Sequence, residues 1–343
     1  MSPRSLIQMF PKFGVVLPPL SSYWTWTEQI ALCRRLDRLR ASSIWVRDDM
    51  GSDRMDPFTI LSALAEVTHT TKLVAEVTVG EGLVTQRHPA LLAKAATSLD
   101  VLSHGRAMVV LRAPLKMPIS TSSTLKSPGV PVSGSKWMKE AEENATIMKI
   151  MFEAGHGRDG SFRGKNWSID QAVNLPRPMQ LKGPPILVEM AVAAEVNEPE
   201  INLALYDGLL ITSGCCRDLE GLHQYIINLR KYMRHISVVP GVTTEVEKKI
   251  VLYGVPLVID SSSNKESSSE STGRLSGEQY VRAAEAVTGE SQGSLLPAGE
   301  TVMSILDLAA VYESVGVDAV VCVLDNSTDP KTLKALLDWL ASE

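Results

Sequence analysis

Arg87-His88-Pro89-Ala90-Leu91-Leu92-Ala93-Lys94-Ala95-Ala96, running on through Leu99-Asp100-Val101-Leu102-Ser103 to Gly105-Arg106, reads as one helix with a marked start and a marked stop. Pro89 suits the first helical position, where its missing N–H has no partner to lose. Leu92, Ala95, Ala96, Leu99 and Leu102 recur at helical spacing, which predicts one buried face. Gly105 suits the left-handed conformation just past a helix end. A strand-like run, Ala107–Leu111, follows at once, so the stretch is a helix feeding directly into a strand.

Outward from that unit the same alternation repeats. Short apolar runs predict eight strands: Phe13–Leu17, Ser43–Arg47, Lys72–Val79, Ala107–Leu111, Pro185–Glu189, Gly208–Thr212, Lys249–Ile259 and Ala319–Leu324. Helical patterns lie between them at Thr27–Leu39, Pro57–Thr68, Trp137–Phe152 and Leu219–Met233, with two more near 276–288 and 300–315 and a closing one at Lys331–Ala341. Asp56 and Pro57 give the second of these an N-cap and a first turn. Strands alternating with helices imply a parallel sheet, and eight such units imply a closed (β/α)8 barrel over residues 1–343 as one domain. An open doubly wound sheet is the alternative. Two connections exceed ordinary loop length: Arg112–Lys136, after the fourth strand, and the serine-rich Asp260–Gly273, after the seventh.

The bulk numbers fit that architecture. Of 343 residues, 44% are hydrophobic and 21% charged, at a net charge of −5, which suits a globular chain with a large core. No basic stripe runs along the chain, which argues against a nucleic-acid partner. No window approaches the roughly 20 apolar residues that cross a bilayer. Cys33, Cys215, Cys216 and Cys322 lack a zinc spacing or a disulfide framework, and a cytoplasmic location is expected. A nucleophile elbow, a phosphate-binding Gly-x-x-x-x-Gly-Lys loop and a dinucleotide Gly-x-Gly-x-x-Gly are all missing.

Reactive groups of a barrel sit at the C-terminal ends of its strands. Trp45-Val46-Arg47-Asp48-Asp49 ends the second strand, so Asp48 and Asp49 are candidates for acid–base work or for orienting a substrate; a solvated acid or a helix cap is the plainer alternative. Glu76 and Thr78 share a face of the third strand. A mid-strand carboxylate needs a partner when buried, so Glu76 either meets an interior base in the lumen or lies near the rim. Glu189 ends the fifth strand, and the spacing of these acids carries no metal signature. His88 is placed to cap its helix or touch a ligand. Arg112 is placed for an anionic ligand or for solvent, and Arg106 for carboxylates at the base of a strand. Trp24, Trp26 and Trp45 are positioned as aromatic walls or as ordinary core.

The ordered set of motifs resembles the bacterial-luciferase-like family of flavin and deazaflavin oxidoreductases. The resemblance runs from Ile44-Trp45-Val46-Arg47-Asp48 and Asp56-Pro57-Phe58 through Arg87-His88-Pro89-Ala90 and Gly105-Arg106. It continues with Phe162-Arg163-Gly164-Lys165, Leu175-Pro176-Arg177-Pro178-Met179-Gln180, Pro184-Pro185-Ile186-Leu187-Val188, Tyr206-Asp207-Gly208-Leu209-Leu210 and Gly316-Val317-Asp318. Asp207-Gly208-Leu209-Leu210-Ile211 is most similar to the methylene-tetrahydromethanopterin reductase-like branch. The resemblance implies a barrel, usually dimeric, holding a planar FMN or coenzyme F420 in its mouth and transferring hydride to or from a small organic substrate. An FMN-dependent monooxygenase, or a cofactor-free barrel acting as a binding or assembly subunit, is the alternative. For the hydride-transfer reading, the expected catalytic residues are Asp48, Asp49 and Glu76. The expected cofactor contacts are Trp45, Thr78, His88, Arg112, Glu189, Ala191 and Ala193. The family pattern has a histidine at Asp49, glycines around Val110, Arg112 and Pro114, and a Gly-Pro turn where this chain has Ala191-Val192-Ala193-Ala194-Glu195.

Overall fold

The computed structural model describes residues 12–22, 24–48, 54–79, 87–112, 134–154, 160–190, 202–212, 219–236, 249–257, 312 and 314–324. Its strands are β1 (Lys12–Val16), β2 (Ser43–Arg47), β3 (Lys72–Thr78), β4 (Ala107–Arg112), β5 (Phe162–Arg163), β6 (Ser168–Ile169), β7 (Ile186–Glu189), β8 (Gly208–Thr212), β9 (Lys249–Leu257) and β10 (Ala319–Leu324). The helices are α1 (Trp26–Arg38), α2 (Pro57–Ala65), α3 (Pro89–Leu102), α4 (Gly134–Glu153) and α5 (Leu219–Ile236).

Eight strands close into a barrel in the order β1-β10-β9-β8-β7-β4-β3-β2, and every pairing is parallel. Closure settles the choice against the open sheet. All eight expected strands are present, within two residues at each end. β5 and β6 form a two-stranded antiparallel hairpin outside the barrel that the strand reading did not contain. The expected helices near 276–288 and 331–341 lie outside the described residues, as do the serine-rich segment, most of the connection after β4 and most of the expected helix at 300–315, of which Tyr312 and Ser314 are described and are helical.

Alternation along the strands splits the interior into two apolar bodies. Odd residues of β3 and β4, such as Leu73, Ala75, Val109 and Leu111, face the helices and join the outer core. The other face fills the lumen with one side chain from each strand: Val16, Trp45, Val74, Val110, Leu187, Leu210, Val251 and Val321. Trp45 is the bulkiest of these, and its Nε1 donates to Ser43 Oγ at 2.7 Å. Gly14 makes room for it: a Cβ there would stand 2.8 Å from that indole nitrogen. Trp24 is buried in the outer core and Trp26 packs against it, so neither borders the lumen.

The helix quoted first forms as its caps require. His88 is its N-cap, Pro89 follows, and Gly105 takes φ +82 beyond the C-terminus. Leu92, Ala96 and Leu99 are fully buried, but Leu102 is exposed. The buried stripe runs instead to Thr97 and Asp100, which the apolar reading passed over. Asp100 accepts from the backbone N–H and side-chain amide of Gln180, and Thr97 Oγ1 accepts from Asn174. The incoming segment thereby covers that end of the helix.

Buried polar clamps hold the N-terminal side of the barrel. Arg106 donates to the carbonyls of Ser103, Thr71, Ala65 and Thr68 and to Thr68 Oγ1. The expected carboxylate partner is replaced by carbonyls at the end of α2, where a helix concentrates its negative dipole. Asp207 and Asp318 each precede a strand and accept from an N–H at the start of the neighbouring strand, at Ile186 and Ile250.

Asp37 accepts from the N–H groups of His69, Thr70 and Thr71 and from the Thr70 and Thr71 hydroxyls. Partial burial pushes its carboxyl up, but these donors outweigh it and hold the group below its ordinary value near 3.8. A depressed folded-state pKa contributes stability above the unfolded value and loses it as pH falls through the folded one. Asp37→Asn is therefore expected to lower the melting temperature at neutral pH. It should also flatten the loss of stability below about pH 4, in melts recorded across that range. Burial pushes the Cys322 thiol up to about 12, so this cysteine is packing rather than chemistry.

Candidate active site

Two residues beyond the apolar plug, the strands β2, β3, β4 and β7 place four charged side chains on the lumen face: Arg47, Glu76, Arg112 and Glu189. Glu76 and Arg47 are register partners on adjacent strands, and Arg112 reaches Glu76 diagonally from β4. Arg112 Nη1 lies 2.5 Å from Glu76 Oε2, while its Nη2 and Nε donate to the two oxygens of Glu189 at 2.8 and 3.3 Å. The second contact is a two-pronged guanidinium–carboxylate pair, the strongest geometry such groups adopt. Arg47 Nε stands 3.8 Å from the same Glu76 oxygen.

Burial grades across this layer. Side-chain exposure is 1% for Glu76, 7% for Arg112 and 9% for Glu189, but 22% for Arg47. Of the two sequence alternatives for Glu76, the lumen and its interior base is the one realised. Arg112 meets two protein carboxylates rather than solvent. Both pairings join residues distant in the chain, so neither was visible in spacing alone.

Solvent reaches the top of this floor at Arg47, Thr78, Thr212 and Val323, which are half-buried. Thr78 is the register partner of Arg112. Thr212, which the sequence reading did not single out, follows Leu210 by two residues and so shares its lumen face. Strand alternation from Leu210 was the signal that would have found it. The floor thus carries a polar arc on β2, β3 and β8 and an apolar arc on β10.

Asp48 sits at the rim, just past β2. Its N–H donates to the Glu76 carbonyl, and its carboxylate lies 3.3 Å from Arg87 Nε. Arg87 also pairs with Asp56, the N-cap of α2, and stacks 5.6 Å over the Phe58 ring. This arginine ties the end of β2 to the starts of α2 and α3. Desolvation pushes its guanidinium pKa down, but the carboxylates of Asp56 and Asp48 outweigh that and raise it. His88 Nδ1 accepts from Ala90 N–H at 3.2 Å, and its ring meets Trp167 edge-on at 4.8 Å. Its described contacts are a cap and a packing contact. Trp45 lies in the plug beneath the charged layer. Asp49, Ala191 and Ala193 lie outside the described residues.

A family model described as luciferase-like monooxygenase matches residues 12–264. No curated protein matches the chain. Among solved structures, the coenzyme F420-dependent tetrahydromethanopterin reductase from Methanopyrus kandleri superposes with a TM-score of 0.59 at 14% identity, covering 96% of this chain and 97% of that one. An F420-dependent secondary alcohol dehydrogenase in complex with an F420–acetone adduct gives 0.63 at 13% identity over 96% and 98%. The oxygenating constituent of 3,6-diketocamphane monooxygenase from Pseudomonas putida, a type II Baeyer–Villiger monooxygenase in complex with FMN, gives 0.61 at 14% identity over 98% of both. At such identities the likeness is one of fold, and the matched family model spans most of the barrel. The chain belongs to the luciferase-like monooxygenase family.

Proposed function

We propose that this protein is an oxidoreductase that holds a planar flavin or deazaflavin, FMN or F420, at the C-terminal end of its barrel. There it passes hydride between that ring and a small organic molecule. One observation carries the reading. The lumen is filled by apolar side chains and roofed by a paired ionic layer, so a ligand entering from the C-terminal end meets a floor with a polar arc and an apolar arc. Such a ring has one edge rich in carbonyl and N–H groups and another that is largely hydrocarbon, and the residues present fit both. Arg47, Thr78 and Thr212 would take the polar edge and Val323 the apolar one. When bound, the ring supplies the redox chemistry. The chain's own residues bind it, orient it and screen it from water. Asp48, largely buried and held by Arg87, fixes the end of β2 beside the floor. The exposed apolar side chains Leu91, Leu102, Val173, Leu175, Met179 and Leu181 support the homodimer that the family resemblance implies.

Titration of the purified protein with FMN and with F420, followed by the visible spectrum and the melting temperature, tests the reading. Binding of either ring with a raised melting temperature is expected. No spectral change and no stabilisation with both rings would defeat it in favour of a cofactor-free barrel. Rapid oxygen consumption by the reduced FMN complex would identify a monooxygenase instead.

A further inference from the structure

We propose that Arg47 is the residue by which this site senses the charge of the ring, favouring its reduced, more negative form over the oxidised one; this rests on the cofactor reading above. The argument begins with charge and access. Glu76, Arg112 and Glu189 form a triad with one cation between two carboxylates, and all three side chains are at least nine-tenths buried. Among the described residues the triad sets two negative charges against one positive charge. Arg47 is the described cation on the same face that offsets it, 3.8 Å from Glu76.

Arg47 is also the charged member of the layer that solvent reaches best, at 22% exposure against 7% for Arg112. A ligand settling on the floor comes against Arg47 before any other guanidinium of the layer. Arg112 is fixed from two sides by Glu76 and Glu189, so its field is largely cancelled at short range. The low-dielectric plug beneath, with Trp45 directly below Arg47 on β2, weakens screening from that side. A charge placed there acts on a ligand more strongly than one at the open rim. A ring that gains electrons gains negative charge, so a neighbouring cation binds its reduced form more tightly. Binding the reduced form more tightly raises the bound ring's potential by linkage. Arg47 is therefore a tuning residue: it sets the electronic balance of the site without itself forming or breaking a bond.

The test compares dissociation constants of oxidised and reduced FMN and F420, measured anaerobically by fluorescence and absorbance. Wild type, R47Q and R47K are used as full-length protein. R47Q is expected to raise the ratio of the reduced to the oxidised dissociation constant at least tenfold. That shift is equivalent to lowering a two-electron potential by about 30 mV. R47K keeps the charge and is expected to hold the ratio within about threefold of wild type. If R47Q does not fold, E76Q reads the same balance in reverse: it removes a negative charge, and the ratio should fall. An unchanged ratio in whichever of R47Q and E76Q folds overturns the role of Arg47 and leaves the cofactor reading standing. Failure of the wild type to bind either ring overturns both.

Discussion

Arg112→Met is expected to remove about 3–5 kcal/mol of folding stability, the loss seen when one partner of a buried ion pair is deleted. Arg112 answers two carboxylates that are at most 9% exposed, so the variant withdraws a shared cation from two charges in the barrel's interior. The loss does not measure the worth of the ionic layer as a whole. Apolar replacement of an entire buried ionic group is often neutral or stabilising, because the desolvation penalty disappears with the charges. The triple variant R112M/E76L/E189L should therefore regain most of what R112M loses. Urea unfolding at constant slope reads both quantities. A loss under about 1 kcal/mol in R112M would show that the triad is not formed in solution.

Arg106→Met is expected to cost about 3 kcal/mol or more, because it leaves several buried carbonyls without a donor at once. The guanidinium gives all five of its N–H groups to four carbonyls and one hydroxyl. R106K keeps the positive charge but offers a point ammonium in place of a planar fork, and should recover less than half of the loss. Hydrogen exchange localises the effect: amides around 65–72 and 103–107 should lose protection before the rest of the barrel. Recovery to wild-type stability in R106K would mean that charge at the end of α2, not the fork, is what matters there.

The strands were legible because a strand buried on both faces is a near-continuous apolar run, and parallel barrels use little else. Ser43–Arg47, Gly208–Thr212 and Ala319–Leu324 coincide with their expected limits. The 87–106 stretch was legible through its punctuation, since Pro89 and Gly105 act locally. Leu102 shows where helical spacing stops informing. Whether the last turn is covered depends on a segment some eighty residues later, which reaches Asp100 through Gln180.

The site was legible as composition but not as pairing. Alternation on β3 set Glu76 on the face of Val74, and the end of β4 offered Arg112. That Arg112 also reaches Glu189 depends on β4 lying beside β7 across the long crossover between them, which spacing alone does not determine. Thr212 went unremarked because a lone threonine at a strand end carries no pattern; only its place in a closed ring makes it part of the floor. Asp48 and Arg87 were each visible, but the chain separates them by 39 positions.

The plug of eight side chains has a consequence for traffic. A hollow stave structure sealed partway down behaves like a cup: whatever arrives over the lip has no drain and departs over the same lip. With the redox ring seated on that base, the molecule that reduces it and the molecule that oxidises it would share the one way in, the first departing before the second is admitted. Steady-state velocities recorded against both reactants would then trace parallel double-reciprocal lines, the pattern of alternating occupancy.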